Sequence, residues 1–175
     1  MKRRFEELVN AYGDRLYQLA SLMLGRRDEA EDVVQDSLVK LWRRLSEIET
    51  GRELPWLITC TRNACLDRLR SRSRHRGLLQ VVAGRDRIAA RERERDHGPS
   101  RVHERSEAAD RVRTALARLP EPGRSLLILR DIQELDVSTV ARTLELSENQ
   151  VKVYTFRARR KLREALEEEL HEQVA

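Results

Sequence analysis

Apolar residues recur at steps of three and four along most of this chain, which is the period of an amphipathic helix. The first such segment covers residues 5–24 and stops at Gly25, a residue suited to a helix C-terminus. Similar patterns cover residues 28–45 and residues 56–72. No stretch shows the sustained polar and apolar alternation of a strand. We therefore predict an all-α protein.

The helical pattern is interrupted once, over residues 77–107. This segment is strongly charged, contains Gly98 and Pro99, and lacks a continuous apolar face. Its stretch RIAARERER predicts at most a transient helix. Periodicity then returns and continues toward the C-terminus. The sequence thus predicts two small helical domains, residues 1–76 and 108–175, joined by a flexible charged linker.

The second domain has the layout of a helix-turn-helix between residues 136 and 166. Ser147 and Gln150 have the spacing of a capping box at the start of its second helix. The apolar spacing turns four positions inward: Val151, Thr155, Ala158 and Leu162. The opposite face presents Asn149, Gln150, Lys152, Val153, Phe156, Arg157 and Arg160.

That exposed face suits the major groove of DNA. Amides and Arg pair with base edges there, and apolar atoms contact thymine methyl groups. Phe156 is costly to leave in water, so a partner surface or a neighbouring helix should cover it. Tyr154 is interpreted as a flanking packing residue. A purely structural helix pair is the alternative.

Charge supports contact with a polyanion. The net charge is +5. Residues 62–76 hold six Arg and one acid, and residues 152–163 hold six cations and no acid. Either strip alone is better explained as a solvated helix face, but two strips on separate segments indicate two contacts with nucleic acid.

Residues 28–45 carry a different surface. The expected inward face comprises Ala30, Val33, Val34, Leu38, Leu41, Trp42 and Leu45. The expected exposed stripe comprises Asp32, Gln35, Asp36, Val39 and Arg43. Its acids and amide offer hydrogen-bond acceptors to a basic protein partner. On physical grounds a solvated acidic face is at least as good an explanation.

Three stretches, in this order, resemble the extracytoplasmic-function (ECF) sigma factors of bacterial RNA polymerase, group 4 of the sigma-70 family, which have conserved regions 2 and 4. They are FEELVNAYGDRLYQLASLMLGRRDEAEDVVQDSLVKLWRRL, PWLITCTRNACLDRLRSR and ALARLPEPGRSLLILRDIQELDVSTVARTLELSENQVKVYTFRARRKL. The resemblance covers nearly the whole chain except the linker. It implies a subunit that directs promoter-specific transcription initiation.

The resemblance implies protein partners as well as promoter DNA. In region 2, Asp32, Gln35 and Asp36 match the positions that contact the clamp coiled coil of the polymerase β′ subunit. Region 4 is expected to contact the β flap. An anti-sigma factor that covers the polymerase-binding faces of both domains is a further expected partner.

The resemblance also assigns the two DNA contacts. The exposed face of the second helix of the helix-turn-helix is expected to contact the minus-35 element. The residues expected to contact the minus-ten element are Trp56, Arg62, Asn63, Asp67, Arg68 and Arg70. Residues 49–54 are the expected pocket for an extruded base. Reading such a base needs contacts that offset unstacking. Trp56 is the nearest aromatic platform, although a core anchor is the better explanation of that residue.

Three features depart from the family pattern. Glu145 stands in the turn where the family often has Gly, and Val153 and Tyr154 stand where small or basic residues are common. The linker is Arg-rich where family linkers are often acidic. We therefore expect an unusual promoter sequence.

Other function classes find little support. No His, Cys or Gly pattern forms a metal site, nucleophile or phosphate loop, so we expect no enzyme, metal or cofactor. Cys60 and Cys65 fit small buried residues in a reducing compartment. Without a signal peptide or membrane span, the expected location is cytoplasmic. An independent regulator that binds operator DNA, with an N-terminal dimerisation or ligand-sensing domain, explains only one strip.

Overall fold

The computed structural model describes residues 1–82 and 107–174, and for residues 76–82, 107 and 169–174 it describes the backbone alone. Every regular element in this part of the chain is helical, which confirms the all-α prediction. The helices are α1 (Lys2–Leu24), α2 (Arg27–Arg44), α3 (Glu53–Val82), α4 (Glu107–Arg118), α5 (Gly123–Leu127), α6 (Val137–Leu144) and α7 (Glu148–Val174). A π-helical segment, Ile128–Ile132, extends α5.

Helices α1, α2 and α3 pack together as the N-terminal domain. Helix α1 ends as predicted at Gly25, whose φ of 72° lies in the left-handed region and whose N–H donates to the Ser21 carbonyl at 2.9 Å. Helix α2 carries acids in its first turn and Arg in its last, each placed favourably against the helix dipole. Leu16, Leu41 and Leu57 are fully buried where the three helices meet.

Helix α3 is longer than its apolar pattern predicts. It begins at Glu53 and continues to Val82, across the predicted domain boundary at residue 76. Leu54 and Trp56 pack against the core, which explains the early start. The rest of the predicted linker lies outside the described residues, apart from Glu107 at the start of α4.

Trp42 is the one wrong assignment among the predicted inward positions of α2. Its side chain is 41% exposed, and its ring meets the Phe5 ring edge-on with centroids 5.0 Å apart. Leu41 and Leu45 already fill the core below it. Trp42 therefore lies on the rim between α1 and α2.

The C-terminal domain is built around α5 and its π-helical extension. Leu126, Leu127, Ile128 and Leu129 are all buried, as the run of apolar residues predicts. Helices α6 and α7 form the helix-turn-helix, and α4 and α5 pack against α7.

The two domains pack directly on each other. Helix α1 contacts α4 and the π-helical segment, and α3 contacts α6. One buried cluster runs through both domains, joining Leu16 and Leu19 of α1 to Leu126 and Ile128. Periodicity within single helices carries no signal for such an interface, and the sequence did not predict it.

Candidate DNA and polymerase interfaces

Helix α7 begins with the predicted capping box. The Gln150 backbone N–H donates to the Ser147 Oγ at 3.1 Å, and the Ser147 backbone N–H donates to the Gln150 Oε1 at 2.8 Å. Directly after the cap, Val151, Thr155 and Ala158 are buried at successive turns of the helix, and Leu162 is half-buried one turn further. Packing on this stripe fixes which face of α7 points outward.

The outward face of α7 is the one predicted to read the minus-35 element. Each of its members is exposed: Asn149, Gln150, Lys152, Val153, Phe156, Arg157 and Arg160. Phe156 is 71% exposed, and no neighbouring helix among the described residues covers it. Of the two covers expected from the sequence, this leaves a partner surface. Tyr154 is half-buried against the core, which confirms its packing role.

The capping box engages the side chain of Gln150, one of the residues predicted to contact DNA. An amide that reads adenine in the bidentate manner uses both its oxygen and its nitrogen. The Gln150 oxygen is already an acceptor for the Ser147 N–H. This bond uses one of the two lone pairs of the Gln150 oxygen and fixes the orientation of the side-chain amide while the cap is intact.

The two ends of α6 are set by different residues, and the second of them begins the turn before α7. Glu145 ends α6 with φ 56° and ψ 42°, in the left-handed region that favours Gly. This is one of the positions where the sequence departs from the family pattern. Asp136 caps the start of α6, and its carboxylate accepts from the Thr139 N–H at 2.8 Å. Hydrogen bonds from Ser138 and Thr139 lower the pKa of this exposed carboxyl well below its ordinary value.

The predicted polymerase-binding stripe of α2 is exposed. Asp32, Gln35 and Asp36 all face solvent, and Val39 continues the same side of the helix. Asp32 forms an ion pair with Arg68 of α3 at 3.4 Å. The stripe therefore touches a residue predicted to contact minus-ten DNA.

The basic strip of α3 is engaged by acids of the same chain. Arg68 pairs with Asp32, and Arg70 pairs with Asp67 at 2.9 Å. Arg62 reaches the C-terminal domain, where its Nη2 lies 3.3 Å from the Glu121 Oε2. Of the remaining predicted minus-ten residues, Asn63 is exposed and Trp56 is half-buried against the core. The packing of Trp56 agrees with the core-anchor explanation.

The loop predicted to hold an extruded base is organised by Glu53, a residue that sequence reasoning did not single out. The Glu53 carboxylate pairs with Arg4 at 2.5 Å and accepts the Gly51 N–H at 2.6 Å. Burial alone raises the pKa of Glu53, but these partners outweigh it, and the pKa lies below its ordinary value. The only sequence signal that Glu53 organises this loop is its position in the first turn of α3.

The described residues contain no cluster of His, Cys, Asp and Glu suited to a metal ion. None of the helices in the described ranges is long and apolar enough to cross a membrane. Cys60 and Cys65 are unpaired thiols, the second fully buried. Burial raises the pKa of Cys65 to about 12 and also raises the pKa of Cys60.

The chain matches two families of the sigma-70 class. Residues 8–75 match sigma-70 region 2, which contains the α2 stripe and the α3 strip, and residues 109–162 match sigma-70 region 4, which contains the helix-turn-helix. These two matches together place the chain among the sigma-70 subunits of RNA polymerase.

Individual relatives narrow this class. The ECF RNA polymerase sigma factor SigE of Mycolicibacterium smegmatis is 30% identical over 162 residues, covering 93% of this chain and 61% of SigE. The ECF sigma factor SigM of Mycobacterium tuberculosis is 30% identical over 161 residues, covering 90% of this chain and 74% of SigM. The chain belongs to the ECF sigma factors, the subunits that direct RNA polymerase to promoters.

A solved structure has the same arrangement of helices. The sigma factor RpoE of Bartonella quintana, in complex with the anti-sigma factor NepR, matches with a TM-score of 0.70 and 25% identity, covering 94% of this chain and 98% of that one.

Proposed function

We propose that this protein is a dissociable promoter-specificity subunit with separate surfaces for core polymerase and for the two promoter elements. The exposed stripe of Asp32, Gln35 and Asp36 docks on the β′ clamp coiled coil of core RNA polymerase. The α3 strip contacts the non-template strand of the minus-ten element. The outward face of α7 enters the major groove at the minus-35 element, and region 4 contacts the β flap.

The outward face of α7 is the observation that carries this proposal. A capped helix held by a buried stripe presents amides, cations and an exposed Phe156 on one side. Arg and Lys contact phosphates and base edges, and Phe156 contacts thymine methyl groups. Burying Phe156 in the groove removes it from water, which favours association.

Catalysis belongs to the polymerase in this proposal, and the protein works beside it in the cytoplasm. An anti-sigma factor controls access to the polymerase. Support for this partner comes from the likeness to RpoE of Bartonella quintana, whose structure contains NepR. The partner covers the α2 stripe and region 4, because those are the surfaces that core polymerase needs.

Run-off transcription with core polymerase on a genomic promoter library tests the proposal. The wild-type chain is expected to create new start sites, whose upstream sequences define both promoter elements. The triple variant Asp32→Ala, Gln35→Ala, Asp36→Ala is expected to lose both those start sites and co-elution with core polymerase.

A matched control carries three similar substitutions on exposed positions of α1, Asn10→Ala, Asp14→Ala and Gln18→Ala. It should retain the new start sites. Tight duplex binding by the protein alone, without core-dependent initiation, would instead identify an independent regulator.

A further inference from the structure

Arg4 of α1 holds the loop between α2 and α3 at three points. Its Nη1 donates to the Leu45 carbonyl at 3.3 Å, and its Nη2 donates to the Ile48 carbonyl at 3.1 Å. The same Nη2 pairs with the Glu53 Oε1 at 2.5 Å. Leu45 is the C-cap of α2 and Glu53 is the first residue of α3. One guanidinium from a third helix therefore fastens both ends of the loop.

Glu53 connects this anchor to the tip of the loop. Its second oxygen, Oε2, accepts the Gly51 N–H at 2.6 Å, and Gly51 has a φ of 90°, a backbone conformation that favours Gly. Glu53 is only 4% exposed, so its carboxylate is shielded from water. Hydrogen bonds to an ionised carboxylate are shorter and stronger than those between neutral groups. The Arg4–Glu53 network, these two residues with their three backbone partners, thus fixes the backbone at the tip.

The loop tip above this buried network carries exposed donors and acceptors. Glu49, Thr50 and Arg52 are all exposed. The Arg52 Nε pairs with the Glu49 Oε2 at 2.7 Å, but both side chains are more than two-thirds exposed, at 72% and 71%. Such a pair is weak and exchanges readily for another partner. The edge of an unpaired base presents donors and acceptors of the same kinds, so the tip has the chemistry to bind one base.

The loop tip also lies next to the surface proposed to hold a single strand. Helix α3 begins directly after the tip, and Arg62 follows Glu53 by nine residues, about 14 Å along the helix axis. A strand that follows α3 toward its N-terminus reaches the tip. Discrimination between bases by hydrogen bonds needs donors and acceptors held in a narrow geometry. The selectivity of the tip therefore depends on what fixes its backbone.

We infer that Arg4 and Glu53 are positioning residues for base selection at the minus-ten element. They hold residues 49–52 in the conformation that matches the preferred base, and they act through the loop backbone rather than by contact with DNA. The N-terminal turn of α1 thereby helps to determine which promoters the protein selects. This inference rests on the proposed function.

Run-off transcription with core polymerase tests the inference on one promoter in which each minus-ten position carries each of the four bases in turn. Arg4→Lys keeps the charge opposite Glu53, but a single ammonium does not reproduce the separate nitrogens of the guanidinium. It is expected to lower the preference for the best base at one position by about fivefold, the equivalent of one hydrogen bond. Glu53→Gln should do the same, because its neutral amide oxygen holds the Gly51 N–H less strongly.

Two kinds of variant serve as controls. Arg3→Lys and Glu7→Gln alter an exposed ion pair in the same part of α1 and should keep the wild-type base preference. Gly51→Ala strains the tip directly and should lower the preference at the same position as Arg4→Lys. Hydrogen exchange provides an independent measure of the tip, since the Gly51 amide should exchange faster in Arg4→Lys and Glu53→Gln than in wild type.

The outcomes separate the inference from the proposed function. Wild-type base preference of Arg4→Lys and Glu53→Gln at every minus-ten position would overturn the inference, even if Gly51→Ala changed the preference. An equal loss of activity on all four bases would also overturn it, because a purely structural role predicts that result. Absence of core-dependent start sites with the wild-type chain would overturn the proposed function and this inference with it.

Discussion

Glu145 bears a conformational cost that few non-glycine residues in this fold carry. Its φ of 56° lies in the left-handed region, where a Cβ is disfavoured by roughly 1–2 kcal/mol. We expect Glu145→Gly to stabilise the protein by about 0.5–1 kcal/mol, since part of the gain is offset by the greater entropy of Gly in the unfolded chain. Urea unfolding measures the change.

Arg142→Gly is the matched control, because Arg142 is exposed inside α6 with helical geometry. That substitution should destabilise the protein by about 1 kcal/mol. Equal losses of stability from both variants would show that Glu145 is not strained.

Asp136 makes stability depend on pH through its cap on α6. Its pKa in the folded protein lies below the ordinary 3.8, chiefly because Ser138 and Thr139 donate hydrogen bonds to the carboxylate. The stabilisation is therefore fully present above pH 3.8 and is lost as the pH falls through the lower, folded-state pKa. Asp136→Asn retains a cap but does not titrate.

Unfolding free energies of wild type and Asp136→Asn between pH 2 and pH 7 test this point. The stability advantage of wild type is expected to shrink as the pH falls below about 4. An advantage that stays constant over the whole range would contradict the role of this carboxylate.

At the scale of the element, Gln150 both caps the N-terminus of α7 and lies on the surface proposed to face DNA. Gln150→Glu keeps the acceptor for the Ser147 N–H, so the free energy of unfolding should stay near that of wild type. It should nevertheless weaken binding of the polymerase complex to a minus-35 duplex, because the new carboxylate faces phosphates.

Two companion variants separate these roles. Gln150→Ala should lose about 0.5–1 kcal/mol of stability because the cap bond is removed. Asn149→Asp adds the same charge as Gln150→Glu on a neighbouring exposed position and should weaken DNA binding similarly. Wild-type stability of Gln150→Ala would show that the cap contributes nothing.

The proposed ligand of the whole molecule, promoter DNA, is a polyanion. The affinity for promoter DNA should therefore fall steeply as the salt concentration rises. Each phosphate contact lowers the slope of log affinity against log salt by roughly 0.9 on duplex DNA. Arg157→Ala should therefore reduce the magnitude of the slope of the polymerase complex by about 0.9. Arg3→Ala removes a similar charge from the exposed N-terminus of α1 and should leave the slope unchanged. A slope near zero for wild type would contradict phosphate contact.

Much of this protein could be predicted from local sequence. Apolar spacing predicted the helices, and Gly25 predicted the end of α1. The Ser147–Gln150 spacing predicted the cap of α7. The exposed face of α7 followed as the complement of its buried stripe. These features depend on residues within one or two helical turns of each other, so a helical repeat is enough to reveal them.

The remaining features were decided by the tertiary structure, because they join residues far apart in the chain. Trp42 lies on the rim because Leu41 and Leu45 fill the core, and Glu53 matters because it reaches Arg4. Arg62 appears in the sequence as one cation of a basic strip, yet packing places it beside Glu121. The sequence by itself determined the helices and their chemical faces. Only the tertiary structure decided which of these faces is exposed and which is covered. The reason is that packing between residues far apart in the chain sets the partner of each charged side chain.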